Sequence, residues 1–213
     1  EFASFYNDLG VDVTIVEALP SILPNEDSDI SKIVKLSFEK RGIKIKTSSA
    51  LKSVTTKENS VSAEIITNEK VETINSEKLI LAIGIIANTE KLGLQDFNIK
   101  IDKGHIVTNE FLETDEKGVY AIGDITDGPW LAHKASHEGI LCVEKIAGHQ
   151  NLKPIDKTSI PGCTYCRPQV ASIGMTETQA RSKNLNLKIG KFPFIGNGKA
   201  IALGDSEGLI KTI

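Results

Sequence analysis

Two places in this sequence carry side chains whose type and spacing could do chemistry. The first is Gly123-Asp124, which closes the apolar run Val119-Tyr120-Ala121-Ile122 and lies six residues before Trp130-Leu131-Ala132-His133-Lys134-Ala135. A glycine is needed where backbone passes close to a bound group. An aspartate beside it is a ready acceptor for hydroxyls. The segment from about Leu131 reads as a helix, so its first turn presents free N–H groups and the positive end of the helix dipole. Such an end stabilises negative charge held against it. The alternative is a plain strand–turn–helix in which Asp124 only caps. The second place is Glu17, at the end of the β-branched run Val11-Asp12-Val13-Thr14-Ile15-Val16. In a dinucleotide-binding unit an acidic residue at the end of the second strand accepts hydrogen bonds from the adenosine ribose and would repel a 2′-phosphate. By charge, Glu17 favours NAD over NADP. The alternative is a surface glutamate at a strand end, and the G-x-G-x-x-G turn that would decide between them does not occur in the chain.

Other candidate groups fail on spacing. Cys163-x-x-Cys166 has the form of a redox pair, but such a pair works at a helix start that lowers the thiol pKa. Here Pro161, Pro168 and the β-branched run that follows point to loop and strand. Gly196-Asn197-Gly198-Lys199-Ala200 lacks the P-loop spacing and its Ser/Thr and reads as a turn. His133, His137 and Cys142 fall at helical positions without the further ligands a metal needs, and His149 follows Gly148 as a solvated helix end. No catalytic or metal-ligating residue is assigned.

The elements that must position these residues follow an α/β rhythm. Phe2, Phe5, Tyr6 and Leu9 lie at helical spacing and Gly10 stops that helix. The strand ending at Glu17 is followed by a helix over 29–40, capped by Asp27 or Ser28 and stopped by Gly42. Its apolar face holds Ile30, Ile33, Val34 and Phe38. Residues 43–47 read as the next strand and 54–75 as an antiparallel insert turning near Asn68. The apolar run Leu79-Ile80-Leu81-Ala82-Ile83, closed by Gly84, reads as a strand buried on both faces. Short strands at 106–108 and 119–123 precede a helix over about 131–147, and residues 153–162 form a Pro- and Gly-rich linker. Residues 170–213 read as strand, short helix over 177–183, strand and strand.

Composition bounds the partners. The net charge of −3 over 213 residues gives no reason to expect nucleic acid or an anionic membrane. No apolar run approaches the roughly 20 residues that span a bilayer. Three cysteines are too few and too odd for a disulfide scaffold and suit a reducing compartment. The chain opens Glu1-Phe2-Ala3 without Met or a capping residue and ends in the apolar run Leu209-Ile210-Lys211-Thr212-Ile213. The expectation is an internal piece cut at both ends.

On Ala121-Ile122-Gly123-Asp124 and the Leu131–Ala135 run, the sequence resembles the pyridine nucleotide–disulfide oxidoreductases, in which an A-x-G-D motif sets its Asp on the ribityl chain of FAD. Glu138-Gly139, the stretch Ile160 to Gly174, Lys191-Phe192-Pro193-Phe194 and Gly196 to Ala200 narrow the resemblance to the lipoamide dehydrogenase branch. It spans nearly the whole chain and is weakest at residues 50–76. It implies a doubly wound NAD-binding domain over 1–88, a central flavin-contacting segment over 89–153, and the start of an α+β dimerisation domain over 154–213. It further implies that Glu1, Glu17, Leu51 and Gly84 border NAD, and that Asp124, Trp130, Leu131, Ala132 and His133 contact FAD. In that branch a dihydrolipoyl dithiol reduces a Cys pair and electrons pass through FAD to NAD⁺. Neither that pair nor the C-terminal His–Glu base matches any residue here, so the piece alone is expected to be inactive. The implied partners are a second copy, in a homodimer, and the lipoyl-bearing acyltransferase of a 2-oxo acid dehydrogenase complex such as that for pyruvate, in the bacterial cytoplasm or mitochondrial matrix. The branch often has Gly-Arg-Arg-Pro-Asn-Thr where Gly84-Ile85-Ile86-Ala87-Asn88-Thr89 stands, which removes two positive charges from the NAD side. A glutathione- or mercuric-reductase type and a non-catalytic dinucleotide-binding module are the competing readings. NADPH-linked members usually carry basic residues where Glu17 sits.

Overall fold

A computed structural model describes all 213 residues. In chain order the elements are α1 (Phe2–Asp8), β1 (Thr14–Val16), α2 (Ser28–Lys40), β2 (Lys44–Lys46), β3 (Ser49–Lys57), β4 (Ser60–Thr67), β5 (Lys70–Ser76), β6 (Ile101–Asp102), β7 (His105–Ile106), α3 (Ala132–Ile146), β8 (Gly162–Thr164), β9 (Val170–Ser172), α4 (Glu177–Ser182), β10 (Gly190–Pro193), α5 (Gly198–Leu203) and β11 (Leu209–Thr212). They fall into two compact units, residues 1–81 with 163–213, and residues 82–162.

In the first unit β1, α2 and β2 form one βαβ crossover. The strands are parallel and in register from Thr14 opposite Lys44 to Val16 opposite Lys46. Asp27 starts α2 by accepting the Asp29 N–H at 3.0 Å, which satisfies one of the helix's orphan donors. The helix turns Val34 and Phe38 inward. There they meet Ile22, Ile43, Cys166 and Val170, flanked by Val13 just before β1 and by Ile15 and Ile45 from the strands. Of the four residues expected on that face, Ile30 and Ile33 are only half-buried. Beyond the crossover, β3, β4 and β5 form an antiparallel meander, with Ile65 of the central strand fully buried. Later in the chain, β8 pairs with β9, and β10 pairs antiparallel with β11. In the second unit the β6–β7 hairpin precedes α3, whose Leu141 and Cys142 pack with Leu112 over Phe111, Tyr120, Leu152 and Ile155.

Three expectations are corrected. Residues 79–83 form no strand and are not buried, with Ile83 90% and Leu81 62% exposed. A strand exists only through a paired neighbour, and the sheet it would extend consists of β1 and β2 alone. Four of its five side chains are exposed and Leu79 is half-buried. Residues 119–123 likewise form no strand, only a single bridge between Tyr120 and Glu113, before a 3-10 turn over Gly123–Ile125. Gly196 to Ala200 is more than a turn. Asn197 accepts the Ala200 N–H at 3.0 Å and so caps α5.

Candidate functional site

The local structure around Asp124 is set by glycine. Gly123 has φ +75, in the left-handed region that side chains avoid. A Cβ there would also meet Ala135 Cβ of α3 at 3.4 Å. The backbone turns sharply at this point, and Asp124 emerges into solvent.

Both polar groups of Gly123 are held by side chains of the following helix and turn. Its N–H donates to Glu138 Oε2 at 2.7 Å. Its carbonyl accepts from the Thr126 hydroxyl at 2.7 Å and from Lys134 Nζ at 3.3 Å. Lys134 Nζ also donates to Thr126 Oγ1 at 3.2 Å and pairs with Glu138 Oε1 at 3.0 Å. Lys134 is 2% and Glu138 4% exposed, so the ion pair is desolvated. Its three ammonium donors meet three acceptors, the condition under which a buried charge pair is tolerated.

The other residues expected at the flavin lie around the start of α3. Leu131 is its N-cap and supplies no side-chain hydrogen bond. The first intrahelical bond across the start runs from the Ala135 N–H to the Leu131 carbonyl at 3.1 Å. The amides of Ala132 and His133 therefore remain open to an acceptor from outside the helix. Trp130 stacks on His105 with ring centroids 5.4 Å apart and donates from its indole N–H to the Thr126 carbonyl at 3.3 Å. His133 Nε2 lies 2.8 Å from the Pro161 carbonyl, so this nitrogen carries the proton. Nearby, Lys157 bonds Asp127 at 3.1 Å and draws the Asp127 carboxyl below the usual carboxylate range.

The four residues expected at the nucleotide are less concentrated. Glu17 follows β1, and its Oε1 accepts the Leu19 N–H at 2.8 Å. Glu1 precedes α1 without a side-chain capping bond, and its Oε1 accepts the Tyr165 N–H at 2.7 Å. Leu51 is 42% exposed in β3, where the register with β4 shifts between Leu51 and Ser53. Gly84, at φ +138, belongs to the other compact unit. Ile85 and Ile86 beside it are 49% and 87% exposed. Cys163 lies in β8, exposed. Cys166 is buried, donates to the Pro168 carbonyl at 3.1 Å, and has its thiol pKa pushed up by burial. Neither sits at a helix start, the opposite of a reactive pair. No cluster of three or more metal-ligating side chains occurs.

Lys134 and Glu138 enter the sequence reading only through the family resemblance, without a role. A signal for them exists. They share the stripe 134, 138, 141 and 142 with buried Leu141 and Cys142, and that stripe is the face an amphipathic helix turns inward.

With this geometry in place, the comparisons are specific. The sequence profile described as "Pyridine nucleotide-disulphide oxidoreductase" matches residues 1–139, and that of the dimerisation domain matches residues 160–213. Dihydrolipoyl dehydrogenase of Rhizobium etli is 48% identical over all of this chain and 44% of its own length. That of Zymomonas mobilis is 50% identical over all of this chain and 46% of its own length. The chain thus spans just under half the length of these relatives. Among solved structures, LpdA from Mycobacterium tuberculosis superposes with TM-score 0.90 at 26% identity, over 99% of this chain and 45% of that one. The flavoprotein disulfide reductase RclA from Escherichia coli shares the fold, with TM-score 0.88 at 24% identity, over 99% of this chain and 48% of that one. No helix is long and apolar enough to cross a membrane. The glycine-held turn, the open helix start behind it and the profile match over residues 1–139 agree, and the chain belongs to the pyridine nucleotide-disulphide oxidoreductase family.

Proposed function

We propose that this chain is the cofactor-holding part of a dihydrolipoyl dehydrogenase, which oxidises a dihydrolipoyl dithiol with NAD⁺ by way of FAD. The observation that carries this is the Gly123–Asp124 turn set against the uncapped start of α3. The residues fit the groups. Asp124 presents a solvent-facing carboxylate suited to the ribityl hydroxyls. The first-turn amides of α3, with Trp130, Leu131, Ala132 and His133, would face the flavin ring, and a helix start favours the negative charge that ring carries when reduced. When bound, FAD supplies the two-electron relay between a dithiol and NAD⁺.

Toward the nucleotide, Glu17 would accept the ribose hydroxyls and exclude a 2′-phosphate. Glu1 and Leu51 would border the same ligand. With Ile85 and Ile86 in place of a basic pair, NAD⁺ binding leans more on hydrogen bonds than on charge. Residues 1–88 are read as the NAD-binding part, 89–153 as the flavin-contacting part and 154–213 as the start of the dimer interface. Thiol–disulfide exchange is assigned to the parts of the relatives' length that this chain does not span. A homodimer is supported by the dimerisation-domain match. The lipoyl-bearing acyltransferase of a 2-oxo acid dehydrogenase complex, that for pyruvate among them, is the physiological donor in this reading. The bacterial relatives and the three free thiols favour the cytoplasm.

The test is an assay of the full-length protein, saturated with FAD, for NAD⁺ reduction by dihydrolipoamide, beside NADPH-driven reduction of glutathione disulfide. The expected result is turnover in the first assay only. Turnover in the second alone would replace this reading with that of an NADPH-linked disulfide reductase.

A further inference from the structure

The Lys134–Glu138 pair is in the wrong order for a helix. Lys134 is the third residue of α3, in the first turn, where the dipole disfavours a cation. A lysine four residues before a glutamate is also the weaker arrangement for such a pair. Both side chains are almost fully buried, which adds a desolvation cost. The helix gains little from the pair, so the reason for it lies where the side chains end, on Gly123 and Thr126.

We propose that Lys134 and Glu138, with Thr126, are positioning residues for the flavin, gripping Gly123 by both its N–H and its carbonyl so that Asp124 is presented at a fixed point before the start of α3. This rests on the flavin reading given above. The grip comes from two sides. Glu138 Oε2 takes the N–H, while Lys134 Nζ and the Thr126 hydroxyl share the carbonyl. Thr126 Oγ1 donates to that carbonyl and accepts from Lys134, which in turn pairs with Glu138, so Lys134 links the two sides of the grip. Gly123 is the residue least able to hold its own conformation, since without a Cβ it ranges widely in φ. The grip therefore acts where the backbone is loosest, one residue before the carboxylate.

The experiment uses the full-length protein, stripped of flavin and titrated with FAD, together with the apoprotein Tm. Affinity measured on folded apoprotein does not depend on global stability, so a purely structural role lowers Tm and leaves Kd alone. Lys134→Met with Glu138→Gln keeps a neutral acceptor for the Gly123 N–H. Lys134→Met with Glu138→Leu removes it. The glutamine variant, which loses only the Lys134 hold on the carbonyl, is expected to bind FAD about threefold more weakly than wild type, and the leucine variant, which also loses the acceptor of the Gly123 N–H, about tenfold or more weakly than the glutamine variant. Equal Kd for wild type and both variants overturns the proposal, and so does an equal loss in both. If the leucine variant does not fold, Thr126→Val carries the test, because it removes one donor to the Gly123 carbonyl and one acceptor of Lys134. A Kd raised about threefold or more supports the grip, and an unchanged Kd overturns it. Wild-type apoprotein that takes up no FAD would instead sink the flavin reading itself.

Discussion

In the proposed function, Glu17 is the residue that sets the preference between nucleotides. One carboxylate oxygen is engaged by the Leu19 N–H, which fixes the side chain at the end of β1. A ribose diol would meet the other, and a 2′-phosphate would meet a like charge. Glu17→Ala in the full-length protein is expected to weaken NAD⁺ use and narrow its preference over NADP⁺ by about tenfold, the worth of one charge-assisted hydrogen bond. Steady-state kcat/KM for both nucleotides reads this out, and a wild-type protein that already prefers NADP⁺ would refute the assignment. The strand before Glu17 and the left-handed turn at Gly123 were legible in the sequence because each is a local pattern of residue types. Lys134 and Glu138 were not, because their role depends on what lies opposite them after folding. Only their place on the inward stripe of α3 hinted at burial.

At the scale of elements, a charge cluster ties α2, α4 and β11 together. Lys211 of β11, 3% exposed in its side chain, donates at 2.7 Å to each of Asp27, Asp29 and Glu177. Asp27 also accepts the N–H groups of Asp29 and Glu177, at the first turns of α2 and α4. Burial pushes the Lys211 pKa down, but the three carboxylates outweigh it and leave the pKa raised. Lys191 and Lys211 hold the Asp29 carboxyl at about 2. Lys211→Met leaves Asp27 without a cation, while Asp29 keeps Lys191 at 2.8 Å and Glu177 keeps Arg181 at 2.6 Å. The expected cost is about 1–3 kcal/mol, as for a part-buried acceptor left without its partner, read by urea unfolding. The depressed pKa sets a pH window. The stability Asp29 contributes is present above its ordinary value of 3.8 and is lost as pH falls through about 2. Tm of the wild type should therefore fall more steeply between those values than Tm of Asp29→Asn, and parallel curves would remove Asp29 from the balance. The cluster joins residues up to 184 apart in sequence, so no reading of local pattern could reach it. The helices were legible through period, cap and stop, as α2 shows with Asp27 and Gly42. The strand expected at 79–83 failed for the complementary reason: its composition suits a buried strand, but burial requires a neighbour, and no strand pairs with it here.

For the whole molecule, the chain covers under half of the two dihydrolipoyl dehydrogenases compared, and Cys163 and Cys166 do not sit at a helix start. Residues 1–213 expressed alone, with FAD and NAD⁺ added, are expected to show no dihydrolipoamide-dependent NADH production. Robust turnover would mean that the thiol chemistry has been misplaced. The α/β class and the family were legible because the A-x-G-D turn and the helix after it are contiguous in sequence. The grouping of residues 1–81 with 163–213 was not, since it arises from contacts between distant segments. The measurement that bears most directly on the central claim is flavin retention by Asp124→Ala in the full-length protein, read as flavin absorbance per protein after gel filtration beside the apoprotein Tm. The expected result is a large loss of bound FAD with the apoprotein Tm nearly unchanged. Full flavin absorbance in the variant would contradict the assignment of the Gly123–Asp124 turn as the flavin's anchor.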